Sequence, residues 1–84
     1  MDTNNKSAAP MAQGMSNIYD TVDTATASAI KQELLEHFGK GLYYRMKSGE
    51  KNITPEQQDY IAAAFARHGV ETPPVYDRVI APGA

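Results

Sequence analysis

Thr54-Pro55-Glu56-Gln57-Gln58-Asp59-Tyr60-Ile61-Ala62-Ala63-Ala64-Phe65-Ala66-Arg67-His68-Gly69-Val70 decides the fold class, because it carries a helix start, a helix face and a helix stop. Thr54 is a good N-cap, Pro55 suits the first helical position, and Gln57 completes a capping box. Tyr60, Ile61, Ala64, Phe65 and His68 share one face at helical spacing. Gly69 fits the left-handed position after the last turn, and Val70 can fold back on Phe65 as a Schellman ending requires. The pattern predicts a helix near 55–68.

Upstream, Ile30, Leu34 and Phe38 recur at i, i+4 and i+8 with Leu35 beside them, and Gly39 follows at once. This predicts a second helix near 24–38, started by Asp23 or Thr24, or earlier by Ser16 or Asn17. Gly39-Lys40-Gly41 then breaks the chain ahead of a short element at 42–48. Alternation of Leu42, Tyr44 and Met46 would make that element a strand, whereas Leu42, Tyr43 and Met46 fit a short helix, the reading preferred here. Thr72-Pro73-Pro74 opens a last element at 74–80, read as a short helix through the pairs Val75/Val79 and Tyr76/Ile80. A strand or hairpin at 42–48 and 75–80 is the alternative.

The fold class expected is therefore mainly α: a small helical domain of three to four helices over residues 16–81. Residues 1–15, rich in Asn, Ser, Ala, Pro and Gly without periodicity, read as a flexible arm, and residues 82–84 as a frayed end. The 84-residue chain has no cysteine, two histidines and few large apolar side chains. A core that small rarely contributes more than about 3–5 kcal/mol of net stability. Without disulfides or a thiolate metal site, completion by another chain becomes the natural expectation. No basic-then-apolar leader or long apolar run is present, so cytoplasmic residence without membrane contact is expected.

Charge is unevenly spread. Lys40, Arg45, Lys47 and Lys51 are half of the eight basic residues and face only Glu50 between positions 40 and 51. The rest of the chain is acidic. Cations interleaved with tyrosines suit an acidic protein surface, with tyrosine as an anchor, and less well a single-stranded nucleic acid. The contact residues expected are Lys40, Tyr43, Arg45 and Lys47, with Tyr44 and Leu42 assigned to the core.

A second constellation lies downstream. The stretch Arg67-His68-Gly69-Val70-x4-Val75-Tyr76 resembles the DNA-binding end of Mor-type phage transcription activators, and His37-Phe38-Gly39-x-Gly41-x-x-Tyr44 is similar to that family's glycine-rich strand entry. The resemblance implies a dimeric helix-turn-helix regulator that binds DNA through residues 60–80, using Val75, Tyr76 and Arg78. Phe65 four before the glycine, Pro73 and Pro74 in the recognition segment, and Arg78 alone beside Asp77 depart from that pattern.

Catalytic patterns are missing. Glu33 and His37 form an i,i+4 pair without a third convergent ligand, a nucleophile or an oxyanion donor, and Gly39-Lys40-Gly41 lacks phosphate-loop spacing. The expectation is a non-enzymatic protein–protein interaction module, an adaptor or inhibitor acting on a larger partner or as a homodimer, with no cofactor or metal.

Overall fold

The structure is a computed structural model that describes residues 10–80. In order, the chain forms β1 (Met11–Gln13), α1 (Thr24–Phe38), α2 (Lys40–Ser48), β2 (Asn52–Ile53), α3 (Pro55–Arg67) and β3 (Arg78–Ile80). Three helices account for about half of the described residues and pack beside a three-stranded antiparallel sheet of order β2-β1-β3. The architecture is thus mostly α, with a sheet that the mainly helical expectation omitted.

Each helix end has a local cause. The Asp23 carboxylate accepts from the Thr26 N–H at 2.9 Å and starts α1. Gly39 ends it at φ 88° and ψ 150°, so the glycine is needed for its positive φ, although it does not adopt the left-handed helical conformation expected. Gly39 also accepts from the Tyr43 N–H at 2.9 Å, which joins α1 to α2 through a single residue. The 42–48 element is helical, as preferred, and begins two residues earlier than expected.

Thr54 and Gln57 form the full capping box, with the Thr54 N–H donating to Gln57 Oε1 at 2.9 Å and the Gln57 N–H to Thr54 Oγ1 at 3.2 Å. At the other end of α3 the Val70 N–H reaches the Phe65 carbonyl at 2.9 Å and the Gly69 N–H the Ala66 carbonyl at 3.0 Å, which is the Schellman pattern.

Two expectations are corrected here. From Pro10 onward the chain is not an arm: β1 is the central strand, Ala12 is buried, and Met15 and Ile18 are core residues. Burial of Met15 and pairing on both edges of β1 supply the order that the composition did not advertise. Residues 1–9, the remainder of the expected arm, and the expected frayed end at 82–84 lie outside the described residues.

The other correction concerns 74–80, where no helix forms. Residues 78–80 pair with β1 in the register Met11↔Ile80, Ala12↔Val79 and Gln13↔Arg78, and Pro73 and Pro74 hold the approach non-helical. The strand alternative thus applies to 78–80 and not to 42–48.

A polar lock holds β3 against the start of the domain. The Asp77 N–H donates to the Gly14 carbonyl at 2.9 Å, and the Asp77 carboxylate accepts from Ser16 Oγ at 2.9 Å. Gly14 has φ 81°, and a Cβ there would stand 2.6 Å from an Asp77 carboxylate oxygen. Only glycine fits both restrictions.

The core runs between the sheet and the helices. Ala12 and Ile53 lie opposite each other on adjacent strands and are both buried, as are Ile30 and Leu34 from α1, Tyr43 and Met46 from α2, and Ile61, Ala64 and Phe65 from α3. No polar or charged residue is buried among the described residues.

Candidate functional site

The phase of α2 determines which side chains reach solvent. Its buried side carries Tyr43 and Met46, with Leu42 half-buried beside them. At about 100° per residue, Lys40, Tyr44 and Lys47 fall on one stripe along the flank of that buried side, with Lys47 about 40° from Tyr43, while Arg45 lies about 140° from Lys40. The four-cation run therefore splits across the helix.

Tyr43, expected at the contact surface, is instead fully buried. Its hydroxyl lies 2.8 Å from that of Tyr19, and burial raises the pKa of both phenols. Tyr44, expected in the core, is 45% exposed and packs edge-on against Tyr43, with ring centroids 5.1 Å apart. The two tyrosines have exchanged roles.

One cation is seated over Tyr44. Lys31 Nζ from α1 stands 5.9 Å from the centre of its ring, and Lys47 Nζ stands 5.9 Å from the Tyr19 ring. Lys40 and Arg45 are exposed and Lys47 is half-buried. Among the described residues the ion pairs are those of Glu33 with Arg67 and His68, so Lys31, Lys40, Arg45 and Lys47 have no carboxylate partner there. Lys31 was missed because it is far away in sequence. Tyr44 was detectable from the i, i+4, i+7 spacing of Lys40, Tyr44 and Lys47 once the segment is taken as a helix.

Glu33 does not pair with His37. Its carboxylate accepts from the Tyr60 hydroxyl at 3.0 Å and from Arg67 Nη2, and its other oxygen is 3.0 Å from His68 Nε2. Arg67 foremost, then His68 and Tyr60, bring the Glu33 pKa down to about 2 against the cost of partial desolvation. His37 stacks on Tyr60 at 3.7 Å between ring centres. The cluster staples α1 to α3 and gives both oxygens of the carboxylate a structural partner. Among the described residues no three His, Asp or Glu side chains converge to hold a metal ion.

The residues of the helix-turn-helix reading do not share a helix. Val75 is 45% exposed in irregular chain, and Arg78 sits in β3 with Nη1 donating to Gln13 Oε1 at 3.3 Å. Tyr76 is half-buried, its hydroxyl lacks a partner among the described residues, and burial, followed by the charge of Asp59, pushes its pKa up to about 12. With 71–77 non-helical and 78–80 in the sheet, the second helix of that motif is not formed.

Three concave features lined by described residues are open troughs. One, of about 420 Å³, lies between the start of α1 and the turn after α3, where Asp23, Thr26, His68 and Glu71 contribute to its wall. Smaller ones of about 380 and 290 Å³ flank the sheet. No described helix is long and apolar enough to cross a membrane.

The class defined by this geometry is a small three-helix domain with a short antiparallel sheet and an exposed aromatic–cationic face. The chain belongs to the family described as a family of unknown function, DUF6078, whose profile matches residues 4–81. Comparison with curated proteins and with solved structures gives no significant match.

Proposed function

We propose that this chain is a protein-binding module, an accessory that engages a partner through the solvent side of α2. The observation that carries the reading is an exposed aromatic ring, Tyr44, with Lys31 over it and Lys40 and Lys47 one turn before and after it on α2, none of them with a carboxylate partner among the described residues. Isolated lysines are ordinary surface. A half-exposed tyrosine capped by one lysine, on a helix stripe that carries two more, can serve as an interface anchor with charges placed to steer a partner. The open troughs and the Glu33 carboxylate, held on both oxygens by structural partners, favour work by surface contact over catalysis.

The test is affinity capture from the host, followed by reconstitution with purified components, comparing wild type with Lys40→Glu/Arg45→Glu/Lys47→Glu. Lys40 and Arg45 are exposed and Lys47 is half-buried over Tyr19, so circular dichroism is run first to establish an intact fold in the variant. The expected result is a partner that rebinds as a purified protein and loses about tenfold or more affinity to the variant. Equal binding by both proteins, or no complex that survives purification, rejects the reading.

A further inference from the structure

The face around Tyr44 has a chemistry that specifies its occupant, and the argument rests on the protein-binding reading above. Lys40 and Lys47 stand seven residues apart on one helix stripe, which places their Cα atoms about 10 Å apart along the axis. Tyr44 lies between them, and Lys31 approaches its ring from the neighbouring helix. The ring offers an apolar platform beside the Lys31 ammonium, and the stripe carries a lysine on either side of it, the Lys47 side chain leaning over Tyr19. None of these lysines has a carboxylate within ion-pair distance among the described residues.

The chain around the patch has the opposite sign. Formal charge is −2 overall although half of the basic residues lie in positions 40–51. Duplex DNA carries about one charge per 1.7 Å and runs on well past a site of this length. A long polyanion laid on Lys40 and Lys47 would therefore extend over an acidic body and be repelled by it. A short acidic segment ends before that repulsion begins.

We infer that the α2 face bearing Lys40, Tyr44 and Lys47, with Lys31 beside it, docks a short acidic protein segment whose carboxylates recur about 10 Å apart, with an apolar side chain seated on the Tyr44 ring. Carboxylates at that spacing fall on one face of a two-turn helix, so a single acidic stripe can meet both ends of the patch. The contact brings opposite charges together around an apolar centre, the usual anatomy of a small interface.

The test uses a labelled synthetic peptide of about 12 residues, Glu-rich with one central leucine, about 18 Å long when helical. Fluorescence anisotropy compares it with its Glu-to-Gln counterpart and with a single-stranded oligothymidylate of similar length, at low and moderate salt. Wild type is expected to bind the Glu peptide, to ignore the Gln peptide, and to lose affinity as salt rises. Lys40→Glu/Lys47→Glu is expected to weaken binding about tenfold or more, and Tyr44→Ala several-fold.

Lys51→Glu is the charge-matched control for the single reversal Lys40→Glu, which is measured beside the double variant. Lys51 follows the helix, with its N–H on the Arg45 carbonyl, and lies away from the Tyr44 stripe. Its reversal should change affinity by less than about threefold. Equal loss for Lys51→Glu and Lys40→Glu would mean a diffuse charge effect and overturn the docking geometry. Equal affinity for the Gln peptide overturns the acidic specificity. Tighter binding of oligothymidylate than of peptide assigns the face to nucleic acid and overturns the inference. If the Glu peptide fails while charge reversal still abolishes partner capture, the acidic-segment inference falls and the protein-binding reading stands.

Discussion

Truncating the two adjacent tyrosines one at a time separates core from surface on α2. Tyr43 is 0% exposed and Tyr44 45% exposed. A buried aromatic side chain removes about 200 Å² from water, worth about 5 kcal/mol at roughly 25 cal/mol per Å². The same reckoning gives roughly 2–3 kcal/mol for Tyr44, and both figures are upper bounds because alanine and the unfolded chain bury part of that area. Measured truncations of buried aromatics cost about 3–5 kcal/mol. Tyr43→Ala should therefore lose at least about 2 kcal/mol more than Tyr44→Ala. In a domain whose whole margin is about 3–5 kcal/mol, that leaves a large fraction of Tyr43→Ala unfolded in buffer. Urea titration followed by far-ultraviolet circular dichroism measures the difference, and with a slope near 1 kcal/mol per molar it amounts to about 2 M in midpoint. Equal midpoints, or a lower one for Tyr44→Ala, would place Tyr44 in the core and remove the proposed contact face.

Three further predictions follow from the packing. Met15→Ala should cost about 2–5 kcal/mol in the same titration, whereas a residue on a loose arm would change stability by less than about 0.5 kcal/mol. Tyr76→Phe removes a buried hydroxyl without a partner and should leave the melting temperature unchanged or raised; a drop equivalent to more than about 1 kcal/mol would reveal a hidden hydrogen bond. Glu33 has its pKa lowered from an ordinary 4.5 to about 2, so between those values the unfolded state holds more of its proton. Its contribution is then complete above pH 4.5 and is lost as pH falls through about 2. Melting temperature measured down that window should fall more steeply for wild type than for Glu33→Gln, and parallel curves would show that the carboxylate does not hold α1 to α3.

The helices were largely legible because their signals are local. Thr54, Pro55 and Gln57 start α3, and Gly69 with Val70 stops it, all within one window. The sheet was not legible, because Met11-Ala12-Gln13 has neither strand propensity nor alternation and gains its order from residues 52–53 and 78–80. Three-residue strands leave no periodic trace, and the Asp77–Gly14 lock joins positions far apart in the chain.

The proposed contact face was half legible. The cation cluster was visible, yet assigning Tyr43 to the surface and Tyr44 to the core borrowed the alternation of a strand for a segment read as a helix. Helical phase reverses the pair. The Glu33 cluster was missed for a related reason: its partners Tyr60 and Arg67 lie on α3 and His68 caps that helix, while His37, the neighbour in sequence, turns to stack on Tyr60.

The most direct measurement of the central claim is a two-dimensional amide spectrum of the labelled protein titrated with its reconstituted partner or with the Glu-rich peptide. The largest shifts are expected at Lys31, Lys40, Tyr44 and Lys47, with Val79 and the trough beside Thr72 unchanged. Shifts centred on β3 or on that trough, with α2 silent, would contradict the account.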